Sequence, residues 1–244
     1  VFSVEGGLES LIHALSSHIG EENIRTGCAE LWIQKKEQRN FEISYSTKEQ
    51  SHQLSTGEVF LTAGSHQLPE ILDFVSGEEL NKLDNLMYAR VIEAALGFEQ
   101  WKGIPLDAFG GLVPSKEKRK ILGVLFPSAF LKNRAPGNGA LLTVFVGGVR
   151  NDHLVDLPDD EVRKIILSEI SEMMQVPDPS PDLFRLFRYE HAIPQYGKNT
   201  EERLETIRKL EHEHPGLHIA GNLRDGIGMA DRIRQGRMLA GLML

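Results

Sequence analysis

Leu217-His218-Ile219-Ala220-Gly221-Asn222, followed after three intervening residues by Gly226-Ile227-Gly228-Met229, reads as a short strand, a glycine-rich turn and the start of a helix. Glycines let backbone approach a ligand closely. The free N–H groups and the dipole of the new helix favour negative charge. Such a turn suits a phosphate, a carboxylate or an electron-rich ring, and a tight helix entry without any ligand fits it equally well. It is not a dinucleotide fingerprint, which needs a third small residue three places after the second glycine; Asp231 stands there. A later strand-turn-helix unit that completes a cofactor site begun elsewhere in the sequence fits better.

Outward from this turn, the stretch 200–213 reads as a helix with Leu204, Ile207 and Leu210 as its core stripe and charge on the other side. Asn199 and Glu202 have the spacing of a capping box, and His214-Pro215-Gly216 stops the helix. Residues 159–174 form a second clear helix, with Val162, Ile165, Ile166, Ile170 and Met173 on one side. A third runs from Leu8 to Ile19 and ends at Gly20, and 67–83 reads as helical with a break at Ser76-Gly77. Strands are expected near 24–34, 40–46 and 58–63, then at 109–113, 121–126 and 141–146, each of the last three bounded by Gly or Pro. Tyr88 to Phe98 reads as strand or helix, because its alanines blur the pattern. Phe109-Gly110-Gly111-Leu112-Val113-Pro114 puts a double glycine beside an aromatic; it is a bulge or a place where something flat meets a sheet.

The 244 residues are 41% hydrophobic and 25% charged, an ordinary globular composition. A net charge of −8 argues against nucleic acid or an anionic membrane as a general partner. The single cysteine, Cys28, excludes an internal disulfide and a multi-cysteine zinc site. No apolar run approaches the ~20 residues of a membrane span. His212, His214 and His218 straddle a helix end and read as surface histidines, so no metal site is expected. No marker singles out a nucleophile, and no catalytic acid or base can be named. The chain does not begin with Met and its first residues read as folded sequence, so a piece of a longer protein is expected.

Taken in order, Gly6-Gly7-Leu8-Glu9-Ser10-Leu11, Phe109 to Pro114, Ile121-Leu122-Gly123, Phe126-Pro127-Ser128-Ala129-Phe130, Asn133-Arg134-Ala135-Pro136, Leu142 to Gly148, Ala192-Ile193-Pro194-Gln195-Tyr196 and Ala220-Gly221-Asn222 with Gly226-Ile227-Gly228 resemble the flavin-dependent protoporphyrinogen oxidases, relatives of the flavin amine oxidases. The resemblance covers essentially the whole chain and corresponds to that family's C-terminal portion. It implies an α/β (α+β) fold. Segments 1–75 and 190–244 would belong to a discontinuous FAD-binding domain, and 76–189 to a substrate domain built on a mixed sheet flanked by helices. The cofactor implied is FAD, the substrate a porphyrinogen, and the reaction its six-electron oxidation to a porphyrin, with molecular oxygen or another acceptor taking the electrons.

Residue by residue, the resemblance puts Asn222, Ile227, Gly228 and Met229 against the flavin. Glu30 falls where relatives carry a valine whose backbone meets the adenine end, and Tyr189 where relatives place a tryptophan near the flavin. Phe109, Gly110, Leu112, Leu125 and Phe145 would line the porphyrinogen slot, on a strand wall that Leu112 and Leu125 share. A homodimer is compatible with the resemblance, and membrane contact would be peripheral and made outside these residues; the location implied is the cytoplasm, including the inner-membrane surface. A coproporphyrinogen oxidase of the same family is the alternative enzyme. A porphyrin- or partner-binding module without catalysis is the alternative of another class.

Overall fold

In the computed structural model, residue 4 and residues 6–48 and 50–243 are described. They divide into two compact units, one of residues 1–87 with 194–244 and one of residues 88–193. The division falls at 87/88 and 193/194, whereas the sequence reading put it at 75/76 and 189/190. Helix α3 (Gly77–Asp84) accounts for the first difference: it packs on α6 (Thr200–Glu213), where Lys209 Nζ lies 2.7 Å from Glu79.

In the first unit, α1 (Glu9–Ile19) precedes a three-stranded antiparallel sheet, β1 (Ala29–Glu37), β2 (Asn40–Ser46) and β3 (Ser51–Thr56). Strand β3 was not expected: His52, Gln53 and Ser55 carry no apolar alternation, and it is held by its ladder to β2. Strand β4 (Val59–Leu61), α2 (Leu68–Ile71) and α3 follow. Ser76 caps α3 by accepting from the Glu79 N–H, which is why the helical stretch breaks there. After α6 the chain enters β10 (Leu217–Ile219), which lies parallel to β4, and ends in α7 (Met229–Ala240). The capping box expected at α6 is not formed. Asn199 has near-helical φ and ψ of −85° and 7°, so its side chain does not reach the helix N–H groups; the Thr200 hydroxyl donates to the Gly197 carbonyl at 2.7 Å instead.

The second unit is a five-stranded sheet in the order β6-β7-β8-β5-β9, with β5 (Tyr88–Phe98), β6 (Gly110–Leu112), β7 (Ile121–Leu125), β8 (Ala140–Gly147) and β9 (Leu183–Pro194). The pairings β6–β7, β7–β8 and β5–β8 are antiparallel. Helix α4 (Pro127–Phe130) is a single turn after β7, and α5 (Asp159–Met173) packs Val162, Ile166 and Ile170 against one face of the sheet. Ile92, Ala94 and Leu96 of β5, Val124 of β7, and Leu142 and Val144 of β8 complete that core. Each fully buried aliphatic side chain stabilises by roughly 1.5–3 kcal/mol, so this layer fixes which way the strands face. The ambiguous Tyr88–Phe98 segment is a strand because its alternate residues meet α5.

Candidate functional site

The glycine turn of the first unit is built on its carbonyls. Strand β10 leads through Ala220 to Gly221, whose φ is +87° and where a Cβ would lie 2.8 Å from the Thr62 carbonyl oxygen. The Arg232 guanidinium, one turn into α7, reaches back and donates to the carbonyls of Gly221, Arg224 and Gly226. Buried Arg203 donates Nε–H to the Leu223 carbonyl at 3.1 Å, and the Tyr196 hydroxyl lies 2.8 Å from the Asn222 carbonyl and 3.0 Å from that of Gly226. Burial pushes the Tyr196 phenol above its ordinary range, which keeps it protonated as a donor. Gln235 accepts from the Gly221 N–H at 2.9 Å and donates to Asp225 at 2.8 Å.

With its carbonyls engaged, the turn shows solvent two apolar side chains, Ile227 and Met229, and a side-chain-free backbone at Gly228. A Cβ at Gly228 would meet only the Asp231 carboxylate, at 3.2 Å, and the residue has an ordinary φ of −72°. The fold therefore leaves room at Gly228 for a close approach. The Gly228 N–H itself is taken by Asp231 at 3.1 Å, so the negative end of a ligand would have to use the next N–H groups of α7. Asn222, Ile227, Gly228 and Met229 are thus brought together on one turn. This turn fits the ring end of a flavin: it supplies apolar contact and a helix N-terminus.

Glu30 lies elsewhere in the same unit, on β1, with φ +49° at the register shift between Ala29 and Trp32. It borders a shallow depression of about 330 Å³ lined by Trp32, Tyr45 and His52 among others. Tyr189 lies on β9 in the second unit.

In the second unit the register puts the expected slot residues on one sheet face. Gly110 pairs with Leu125 and Leu112 with Gly123 across β6–β7; Gly123 pairs with Phe145 and Leu125 with Thr143 across β7–β8. Directly paired residues share a face, as do residues two apart. Leu112, Leu125 and Phe145 therefore point the same way, opposite to Val124 and Val144, which face α5. The φ of Gly110 is +141°, and a Cβ there would strike the Val124 carbonyl at 2.3 Å, so only glycine permits this close pairing. Phe109, just before the strand, stacks on Phe130 of α4 with ring centroids 4.2 Å apart.

Strand β9 extends this face. Its Phe184 and Leu186 pack on the core, with Arg163 of α5 over the Phe184 ring, and Arg188 and Glu190 bond on the same side. The alternate residues Leu183, Arg185, Phe187 and Tyr189 are exposed on the other side. The result is an open face, most exposed at Leu112 (84%). Sequence reasoning missed Arg232, Gln235 and Arg203, which act through contacts distant in the chain. It also missed Glu93 and Arg185, two charges on this largely apolar face. The histidines near the turn are used locally: His218 stacks on Phe60 and bonds Glu58 at 2.8 Å, and His214 lies 2.8 Å from Lys35.

The sequence pattern of the family described as flavin containing amine oxidoreductase matches residues 1–244. The mitochondrial protoporphyrinogen oxidase of Nicotiana tabacum is 30% identical over 100% of this chain and 51% of its own length. The coproporphyrinogen III oxidase of Bacillus subtilis is 24% identical over 65% of the chain and 34% of its own length. The chain spans about half the length of the curated relatives it matches in full. A crystal structure of an Exiguobacterium sp. 255-15 protein superposes with a TM-score of 0.83 at 22% identity, over 99% of this chain and 51% of that one. That of cyclohexylamine oxidase from Brevibacterium oxydans gives 0.71 at 14% identity, over 97% and 52%. An α+β chain matched by the family's pattern from end to end belongs to the flavin-containing amine oxidoreductases, whose cofactor is FAD.

Proposed function

We propose that this chain is part of an FAD-dependent oxidase that converts protoporphyrinogen IX to protoporphyrin IX in haem biosynthesis. The observation that carries the reading is the open sheet face where Leu112, Leu125 and Phe145 converge, in a chain whose relatives include named protoporphyrinogen oxidases. A large, apolar macrocycle needs a broad apolar wall with few polar groups to orient it. Bound FAD would supply the hydride-accepting chemistry; over the six-electron oxidation the macrocycle loses four bridge C–H hydrogens and two N–H hydrogens, three in all as hydride and three as protons passed to water. Molecular oxygen or another acceptor takes the electron pair. The residues of this chain hold the ring end of the cofactor at Asn222, Ile227, Gly228 and Met229, and offer the macrocycle its wall. Tyr189 and Glu30 are assigned to the cofactor, and Phe109 and Gly110 to the edge of the wall, on the family resemblance.

Coproporphyrinogen III is the competing substrate, since the Bacillus subtilis relative carries that name. The full-length protein, purified with FAD, is to be given each porphyrinogen separately and followed by porphyrin fluorescence. Faster oxidation of protoporphyrinogen at limiting substrate is expected. A preference for coproporphyrinogen would move the assignment to that substrate, and no porphyrin from either would overturn it.

A further inference from the structure

Across four strands of the second unit, one row of directly paired residues reads Glu93, Phe145, Gly123, Leu112. Three inter-strand steps of ~4.8 Å make this row about 14 Å long, the scale of a tetrapyrrole. The row contains two of the wall residues, and Glu93 stands at its β5 end, beside Phe145. Its side chain is on the open face, since Ala94 and Ile92 on either side are buried against α5. Among the described residues Glu93 has no hydrogen-bond or ion-pair partner. It is only partly exposed, and its directly paired neighbour is a phenyl ring. A carboxylate there is an expense to the fold: partial burial without a partner is unfavourable, and an apolar residue would pair better with Phe145.

Among the described residues no other use of Glu93 is found. On these five strands, Glu93 and Arg185 are the side chains charged at neutral pH that share the open face; Arg90, Arg188 and Glu190 bond on the α5 side. Arg185 does not neutralise Glu93, because no ion pair within 4.0 Å joins them. The carboxylate is therefore held ready, on an apolar wall, as an acceptor with nothing to accept. A porphyrinogen has the complementary chemistry. Its saturated bridges let the pyrrole rings tilt, so that several N–H groups point to one side of the macrocycle, where a carboxylate can receive them. In the porphyrin product the remaining N–H groups lie in the plane of a flat ring and cannot point at a residue below it.

Resting on the porphyrinogen reading above, we propose that Glu93 is a substrate-binding residue that accepts pyrrole N–H hydrogen bonds from the reduced macrocycle and so favours porphyrinogen over porphyrin on this wall. Charge-assisted hydrogen bonds are the strong ones, and their loss from a ligand with several donors is read in KM.

The test uses the full-length enzyme and the variants Glu93→Leu and Glu93→Gln, with FAD content and Tm measured for each. Glu93→Leu is expected to fold at least as stably as the parent, keep its FAD and raise KM for the porphyrinogen about tenfold, the size of a hydrogen bond to a charged group. The inhibition constant of the product porphyrin should stay within about twofold, the limit set by a loss of ~0.4 kcal/mol. Glu93→Gln, which keeps a weaker acceptor, should fall between. An unchanged KM in Glu93→Leu overturns the proposal, and so does a parallel rise in KM and in the porphyrin inhibition constant, which would mark a general distortion of the wall. Failure of the unmodified enzyme to oxidise any porphyrinogen would instead defeat the functional reading itself, and this inference with it.

Discussion

Gly226 and Gly228 stand two residues apart in the same turn and are glycines for different reasons. Gly226 has a φ of +95°, and a Cβ there would lie 2.4 Å from the Asp231 carboxylate. It serves the fold, and any side chain would strain it by about 1–3 kcal/mol. Gly228 has an ordinary φ, and a Cβ there would crowd only the tip of the Asp231 carboxylate at 3.2 Å, so the backbone does not require glycine. On the proposed reading, close approach of the cofactor would require it. In the full-length enzyme, Gly228→Val should keep the parent's Tm within about 4 °C, the shift that goes with roughly 1 kcal/mol, while FAD affinity falls by about tenfold or more. Gly226→Val should lose stability first. Thermal melts beside flavin titrations of the apoenzyme separate the two, and a Gly228→Val enzyme with unchanged FAD affinity would make the turn a helix entry only.

At the scale of the element, the open face depends on how closely β6 can lie on β7. A Cβ at Gly123 would come within 2.7 Å of the Gly111 carbonyl and 3.2 Å of the Leu112 Cα. Gly123→Val should push β6 off, costing about 1–3 kcal/mol as overpacking does, and remove Leu112 from the row. KM for the porphyrinogen should rise while FAD content is retained; loss of FAD with unchanged KM would contradict the assignment of this face. The β4–β10 pair, which delivers the chain to the glycine turn, carries a pH dependence. Hydrogen bonds from Arg39 and then from His218 hold the Glu58 carboxyl below its ordinary value of 4.5. A carboxylate with a lowered folded pKa contributes stability above its ordinary value and loses it as pH falls through the lowered one. Glu58→Gln should therefore cost about 0.5–1 kcal/mol at neutral pH, the range of partly exposed pairs. The difference from the parent should close in melts taken well below 4.5, and a difference that persisted in acid would exclude ionisation as its source.

For the whole molecule, what could be read in the sequence follows the range of the forces involved. The glycine turn was legible because φ and helix polarity are local matters, and so were α5 and α6, whose apolar stripes repeat within a few residues. Strand β9 was not, since Phe184 and Leu186 face the core while Phe187 and Tyr189 are apolar and exposed, leaving no alternation to see. The clamp of Arg232 and Arg203 on the turn, and the row from Glu93 to Leu112, exist only once distant strands and helices meet. The same dependence on distant partners bears on what these 244 residues can do as an isolated polypeptide. Helix α1 buries none of its side chains and leaves Ile12, Leu15 and Ile19 exposed, as is Leu8 just before it. Helix α7 leaves Ile233 and Met238 exposed. Such surface is costly in water and promotes association. The glycine turn could contact only one end of a dinucleotide, with its first N–H already occupied by Asp231, and affinity depends on enclosing most of a ligand's surface. Purified alone, the 244 residues should be colourless, bind an apolar-surface dye, and take up no FAD on titration. With FAD and porphyrinogen added, porphyrin fluorescence should rise no faster than in buffer. A yellow polypeptide that oxidises porphyrinogen would show that these two units by themselves hold cofactor and substrate, and that the exposed faces of α1 and α7 have no part in building the site.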